Sequence, residues 1–105
     1  MAITKFKGVA IEIAGVVYII PALTLRSVQA LQERLTKYTG QLNAESVELV
    51  LDTVHAALAR NYPDMTRDAV ADMVDLSNMA ALMNAVMGVS GLVERNDTGE
   101  AVATV

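Results

Sequence analysis

The 105-residue chain has the length of one domain, and its 53% hydrophobic content supplies ample core while excluding disorder as the default state. Eight Lys and Arg against 12 Asp and Glu leave a net charge of −4, and no basic cluster breaks that balance, which argues against a protein that wraps phosphates. With no Cys there is no disulfide framework, zinc knuckle or thiol nucleophile.

The first elements read as strands. Val9, Ile11 and Ile13 alternate with Ala10 and Glu12, the period of a half-buried strand. Ala14-Gly15 reads as a turn in which Gly15 supplies positive φ, and 16–20 is β-branched or aromatic throughout until Pro21 stops it. A hairpin over about 9–20 follows. A lone hairpin is marginal in water, so it must pack on helices or pair with another chain.

From Thr24 the period becomes helical. Leu25, Val28, Leu31, Leu35 and Tyr38 form one stripe, with Thr24 as N-cap and Gly40 as stop, giving a helix over about 25–39. A second helix over about 44–61 starts at an Asn43 cap and buries Val47, Val50, Leu51, Val54 and Leu58; Pro63 closes it. A short third helix spans about 66–74, capped by Asp64 or Thr66, with Val70, Met73 and Val74 facing inward. The fourth begins at Asp75 or Ser77 and covers about 76–87, before Gly88 and Gly91 break the pattern. The architecture expected is therefore α+β, mainly α: an N-terminal β-hairpin followed by about four helices in a small bundle. One domain covers 1–93, with 94–105 as a polar C-terminal tail.

Neither end carries a targeting pattern. Lys5 and Lys7 imitate the start of a signal peptide, but Glu12 interrupts the apolar run. The longest uncharged stretch, 76–93, holds Ser77, Asn78, Asn84, Gly88, Ser90 and Gly91, which are poorly suited to lipid. The expectation is a soluble cytoplasmic protein without a membrane partner.

No constellation supports catalysis. His55 is the only imidazole; Asp52 lies three residues before it, but none of the Ser and Thr stands in a nucleophile-elbow context, so His55 is expected to be structural. Asp64, Asp68, Asp72 and Asp75 form an acidic series without the spacing of a calcium loop, and read as a solvated face. Gly88 and Gly91 follow a helix, whereas a phosphate cradle precedes one. The region 61–74 imitates a helix-turn-helix, but its recognition helix would offer Arg67 alone against three acids. No cofactor, metal or nucleic acid is expected. The fourth helix is the informative element, being apolar nearly all round, so that it needs cover on more than one side. Met79, Met83 and Met87 recur on it at i, i+4 and i+8. Such a stripe suits core filling or an adaptable groove, and as a groove it names Met79, Met83 and Met87 as partner-binding residues.

Three segments carry a resemblance. IEIAGVVYIIPALTL (11–25), VLDTVHAALARNYPDMTRDAV (50–70) and DLSNMAALMNAVMGVSGL (75–92) resemble the tail assembly chaperones of long-tailed bacteriophages. The shared features are a strand-turn-strand ending in Pro before a helix, an A-L-x-R-N-Y-P-D-x-T helix junction, and an apolar helix ending near M-G-x-S-G. The resemblance implies a protein without enzymatic activity that acts in the bacterial host cytoplasm. It implies binding to the tape-measure protein, assistance to tail-tube protein as it polymerises, and departure before the virion matures. In many such phages a frameshift adds a second domain, and this chain resembles the short, unshifted product. Repeated weak contacts would favour a homo-oligomer, joined at the hairpin edge by strand pairing. The alternative is a small phage structural subunit, of tail or head-completion type, retained in the virion. A third is a small DNA-binding regulator.

Overall fold

The computed structural model describes residues 6–92. Two antiparallel strands, β1 (Gly8–Ile13) and β2 (Val16–Pro21), are followed by four helices: α1 (Leu25–Thr36), α2 (Ala44–Asn61), α3 (Arg67–Met73) and α4 (Met79–Val89). The expected hairpin and four helices are present, in the expected order. The proposed tail over 94–105 lies outside the described residues.

The hairpin register pairs Gly8 with Pro21 and Ile13 with Val16, leaving a two-residue turn. Both turn residues have positive φ, 53° at Ala14 and 85° at Gly15, as a type I′ turn requires. Ala14 thus adopts a backbone that a Cβ disfavours, beside the Gly15 that the sequence made obvious. Gly8 is fixed by a different constraint: a Cβ there would overlap the Ile20 carbonyl. Ile13 and Ile20 are buried, while Ala10, Glu12 and Val17 are exposed.

Helix α2 is the central pillar, in contact with β2, α1, α3 and α4. It runs for 18 residues because Asn43 caps its start, the side chain accepting from Ser46 N at 2.8 Å. Its buried set is Ser46, Leu49, Val50, Thr53, Val54, Ala57, Leu58 and Asn61. Val50, Val54 and Leu58 of the expected stripe are among them, whereas Val47 and Leu51 are only half-buried; the buried face is broader and turned from the expected one because four elements cover it rather than one.

Helix α1 lies against α2. Thr24 caps it as expected, accepting from Ser27 N, but regular helix ends at Thr36, three residues short of the expected 39. Leu25, placed on the inward stripe by spacing, is 86% exposed. It sits at the first position of α1, where periodicity alone assigned it to the wrong side. Thr66 caps α3 by accepting from Ala69 N.

Helix α4 starts regular geometry at Met79 rather than 76, because 75–78 forms a capping turn. The Asp75 carboxylate accepts from Ser77 N, Ser77 Oγ and Asn78 N, while Asn78 Oδ1 accepts from Asp75 N. This is the reciprocal bonding of a capping box. The Ser77 and Asn78 bonds hold the Asp75 carboxyl below its ordinary value. Gly88 does not break the helix, as its spacing suggested; it lies inside α4. Gly91, at φ 75°, ends it through bonds from Gly91 N to Gly88 O and from Leu92 N to Met87 O, the Schellman pattern. The apolar faces of α4 pack on α2, β1 and β2. No helix among the described residues is long and apolar enough to cross a membrane.

A candidate protein-interaction groove

The early end of α1 leaves 37–43 as a loop that rises beside the start of α4. Between them lies an open groove of about 500 Å³. Tyr38 and Leu42 line it from the loop side, and Leu76, Met79 and Ala80 line it from the helix side; Thr39 and Asn84 are polar but uncharged. Leu42 is 62% and Leu76 74% exposed. Two large aliphatic side chains in water beside a half-buried methionine make an apolar surface without a charge in its lining.

The three methionines do not share one environment. Met79 lines the groove, half-buried and packed against the core. Met83 is 1% exposed, within the core itself, and Met87 is half-buried against that core. Of the two readings of the stripe, core filling holds at Met83, which is corrected as a partner-binding residue because the chain's own fold consumes it. The groove recruits Tyr38, Leu42 and Leu76 instead. Leu42, an isolated leucine between Gln41 and Asn43 in a loop, was the one signal of this in the sequence.

His55 Nε2–H donates to the Met65 carbonyl at 3.0 Å, tying α2 to the turn before α3. Asp64, Asp68, Asp72 and Asp75 are exposed. No group of three or more His, Cys, Asp or Glu among the described residues is placed to hold a metal ion.

Family models, curated proteins and solved structures were all compared with this chain, and none matches.

Two polar assemblies tie the elements of the fold to one another, and neither was visible in the sequence. In the first, Asp52 of α2 accepts from Arg67 Nε of α3 at 2.7 Å and from Arg34 Nη2 of α1 at 3.0 Å, while Arg67 Nη2 also reaches Glu48 Oε1 at 2.5 Å. Three helices meet at one carboxylate. Burial pushes the Asp52 carboxyl up, but the hydrogen bonds and charges of Arg67 and Arg34 outweigh it and hold it below the ordinary range. Arg67, the one cation of the imagined recognition helix, is occupied by this network.

In the second, the end of α2 grips the hairpin. Asn61 Oδ1 accepts from Phe6 N at 2.8 Å, and its Nδ2 donates to Phe6 O at 3.0 Å and Ile19 O at 3.2 Å. Tyr62 takes the Ile19 N–H on its hydroxyl at 2.8 Å and meets Tyr18 edge-on, with centroids 5.4 Å apart. Arg60 donates to the Ala22 carbonyl at 2.6 Å and covers the Phe6 ring at 3.9 Å. The outward N–H and C=O of Ile19 on β2 are thereby satisfied by side chains, and the hairpin is held where it packs on α2 and α4.

Proposed function

We propose that the chain is a non-catalytic binding protein, a tail assembly chaperone of long-tailed bacteriophages that holds the tape-measure protein in the host cytoplasm. The uncharged groove of Tyr38, Leu42, Leu76 and Met79 carries this reading, because a chaperone for a long helical client needs adaptable apolar surface and no reactive site. The sequence resemblance at 11–25, 50–70 and 75–92 supports it independently. Leu42 and Leu76 are the anchors of the proposed contact, and Met79 the residue that adapts to different client side chains. Met87 stands outside the groove, and Met83 acts only from within the core. On the same reading the chain self-associates, so that several weak grooves act together along one client.

The test is co-expression of the tagged chain with the long helical protein encoded beside it. The expected result is a soluble complex that Leu42→Ser/Leu76→Ser depletes at least several-fold without changing the thermal melt, with the client insoluble when expressed alone. A soluble chain that ignores the client overturns the proposal. Retention of the chain in purified virions, read by mass spectrometry, would replace it with the structural-subunit alternative.

A further inference from the structure

The two edges of the hairpin are treated differently. Ile19 of β2 turns its N–H to the Tyr62 hydroxyl and its C=O to Asn61 Nδ2, away from β1. In an antiparallel ladder a residue that bonds outward belongs to a non-hydrogen-bonded pair, whose members point their N–H and C=O in opposite directions. The partner of Ile19 is Ala10, so Ala10 turns both groups to the free side of β1. The period of two gives Glu12 the same orientation. None of these four backbone groups has a partner among the described residues. Asn61 and Tyr62 close the β2 edge at Ile19, and no described residue does the same for β1. An edge is usually guarded by Pro or by several charges, whereas β1 has no Pro and the single charge of Glu12. Ile11, between the two outward residues, packs against the core yet stays half-exposed.

We propose that β1 pairs antiparallel with β1 of a second copy of this chain, about a two-fold axis between the two Ile11 residues. This register sets Ala10 opposite Glu12 of the second copy, and Glu12 opposite its Ala10. Each such pair exchanges two N–H···O bonds, so every outward group of Ala10 and Glu12 on both strands is used. Charge and size select this arrangement. Each Glu12 lies opposite a small, uncharged alanine, whereas parallel in-register pairing sets Glu12 beside Glu12, and facing like charges destabilise a sheet. On the other face the two Ile11 side chains meet as a close non-hydrogen-bonded pair. The edge is complementary to itself in charge, size and apolar contact, as an isologous interface demands. A strand this short buries less surface than a permanent dimer, so the association is weak and concentration-dependent. It is the contact for the self-association of the chaperone reading, on which it rests for its purpose; its geometry rests on the hairpin alone.

The experiment is sedimentation velocity of the full chain from micromolar to near-millimolar concentration, with the same series for Ala10→Pro. The expected result is a monomer that becomes a dimer as concentration rises. Ala10→Pro removes one outward donor and spares the β1–β2 bonds, so it should weaken the dimer about tenfold or more with an unchanged circular dichroism spectrum. Ile11→Cys should give a disulfide-linked dimer on mild oxidation. The Cα atoms of such a cross-strand pair lie about 4.5 Å apart, and the chain has no other Cys. Val17→Cys, exposed on β2, should cross-link far less. A chain that stays monomeric throughout overturns the proposal, as does an Ala10→Pro variant that dimerises like the parent or a Val17→Cys variant that cross-links as readily as Ile11→Cys. Slow exchange of the Ala10 and Glu12 amides in a monomer would assign the edge to another segment of this chain, and protection only with client bound would assign it to a client strand; either result overturns it. Should Ala10→Pro disturb the fold, the two cysteine variants decide. A monomer that still co-purifies with the client refutes this contact and leaves the groove, while a dimer that ignores the client does the reverse.

Discussion

Replacing Asn61 with Ala should detach the hairpin from the helical layer. Asn61 is 4% exposed and, among the described residues, accepts from Phe6 N and donates to Phe6 O and Ile19 O. At a net contribution of about 0.5–1.5 kcal/mol each, three such bonds amount to about 1.5–4.5 kcal/mol. The upper part of that range is expected, because the truncation strands backbone groups of both Phe6 and β2 in a site that water reaches poorly. Against a total stability of about 5–15 kcal/mol for a domain of this size, this is a large share without being a collapse. Asn61→Asp should be worse than Asn61→Ala: its carboxylate keeps the bond from Phe6 N but faces two carbonyl oxygens where the amide donated. Urea unfolding gives the stability change, and amide exchange at Phe6 and Ile19 locates it. Unchanged exchange at both amides in Asn61→Ala, or an Asn61→Asp variant as stable as the parent, would refute the clamp.

Thr53 is fully enclosed, and its Oγ1 has no hydrogen-bond partner among the described residues. Thr53→Val keeps the shape and removes the unpaired hydroxyl, so it should raise stability by about 1–2 kcal/mol; a lower melting temperature would mean that the hydroxyl is paired. Asp52→Asn should cost about 1 kcal/mol at neutral pH, since its partners are partly exposed. The pH dependence has a definite sign. A carboxyl lowered on folding contributes stability above its unfolded value of about 4 and loses it as pH falls through the lower folded value. Wild type and Asp52→Asn should therefore converge in urea midpoint below about pH 4, and a constant gap across that range would contradict the network.

Local signals were legible where they depend on neighbours in sequence. Thr24, Asn43 and Thr66 each cap the helix they precede, because a hydroxyl or amide three residues before a free N–H acts without help from the rest of the fold. The hairpin was legible for the same reason, through alternation and a glycine in the turn. The Asn61 clamp was not. Its partners lie 42 and 55 residues away, and Asn at the end of a helix announces only an ordinary C-terminus. Likewise Arg34, Asp52 and Arg67 come from three different helices, and nothing in their spacing brings them together. Part of the candidate groove was missed because Leu42 lies in a loop, where no period exists to assign a side, and because Tyr38, counted on the α1 stripe, falls beyond the end of that helix at Thr36.

The apolar surplus of this chain is placed differently from what its count suggests. Helix α4 carries no charge from Met79 to Val89, which on composition alone demands a partner over its outer face. The fold covers its large side chains, with Leu82, Met83 and Val86 buried. It leaves outside Ala80, Ala81 and Asn84, residues too small to expose much apolar area. The large exposed aliphatics among the described residues are elsewhere, at Leu25, Leu42, Leu76 and Leu92 and at Val16 and Val17 beside the hairpin turn. Each sits at the end of an element or in a connection, where the chain is free of the packing that fixes helix interiors. Replacing them costs the fold little, so their exposure is a property that binding can select without a penalty in stability. Among them only Leu42 and Leu76 converge on one concavity with a methionine between their elements. For that reason the groove, and not the methionine spacing that first drew attention to α4, is the surface on which a client is to be sought.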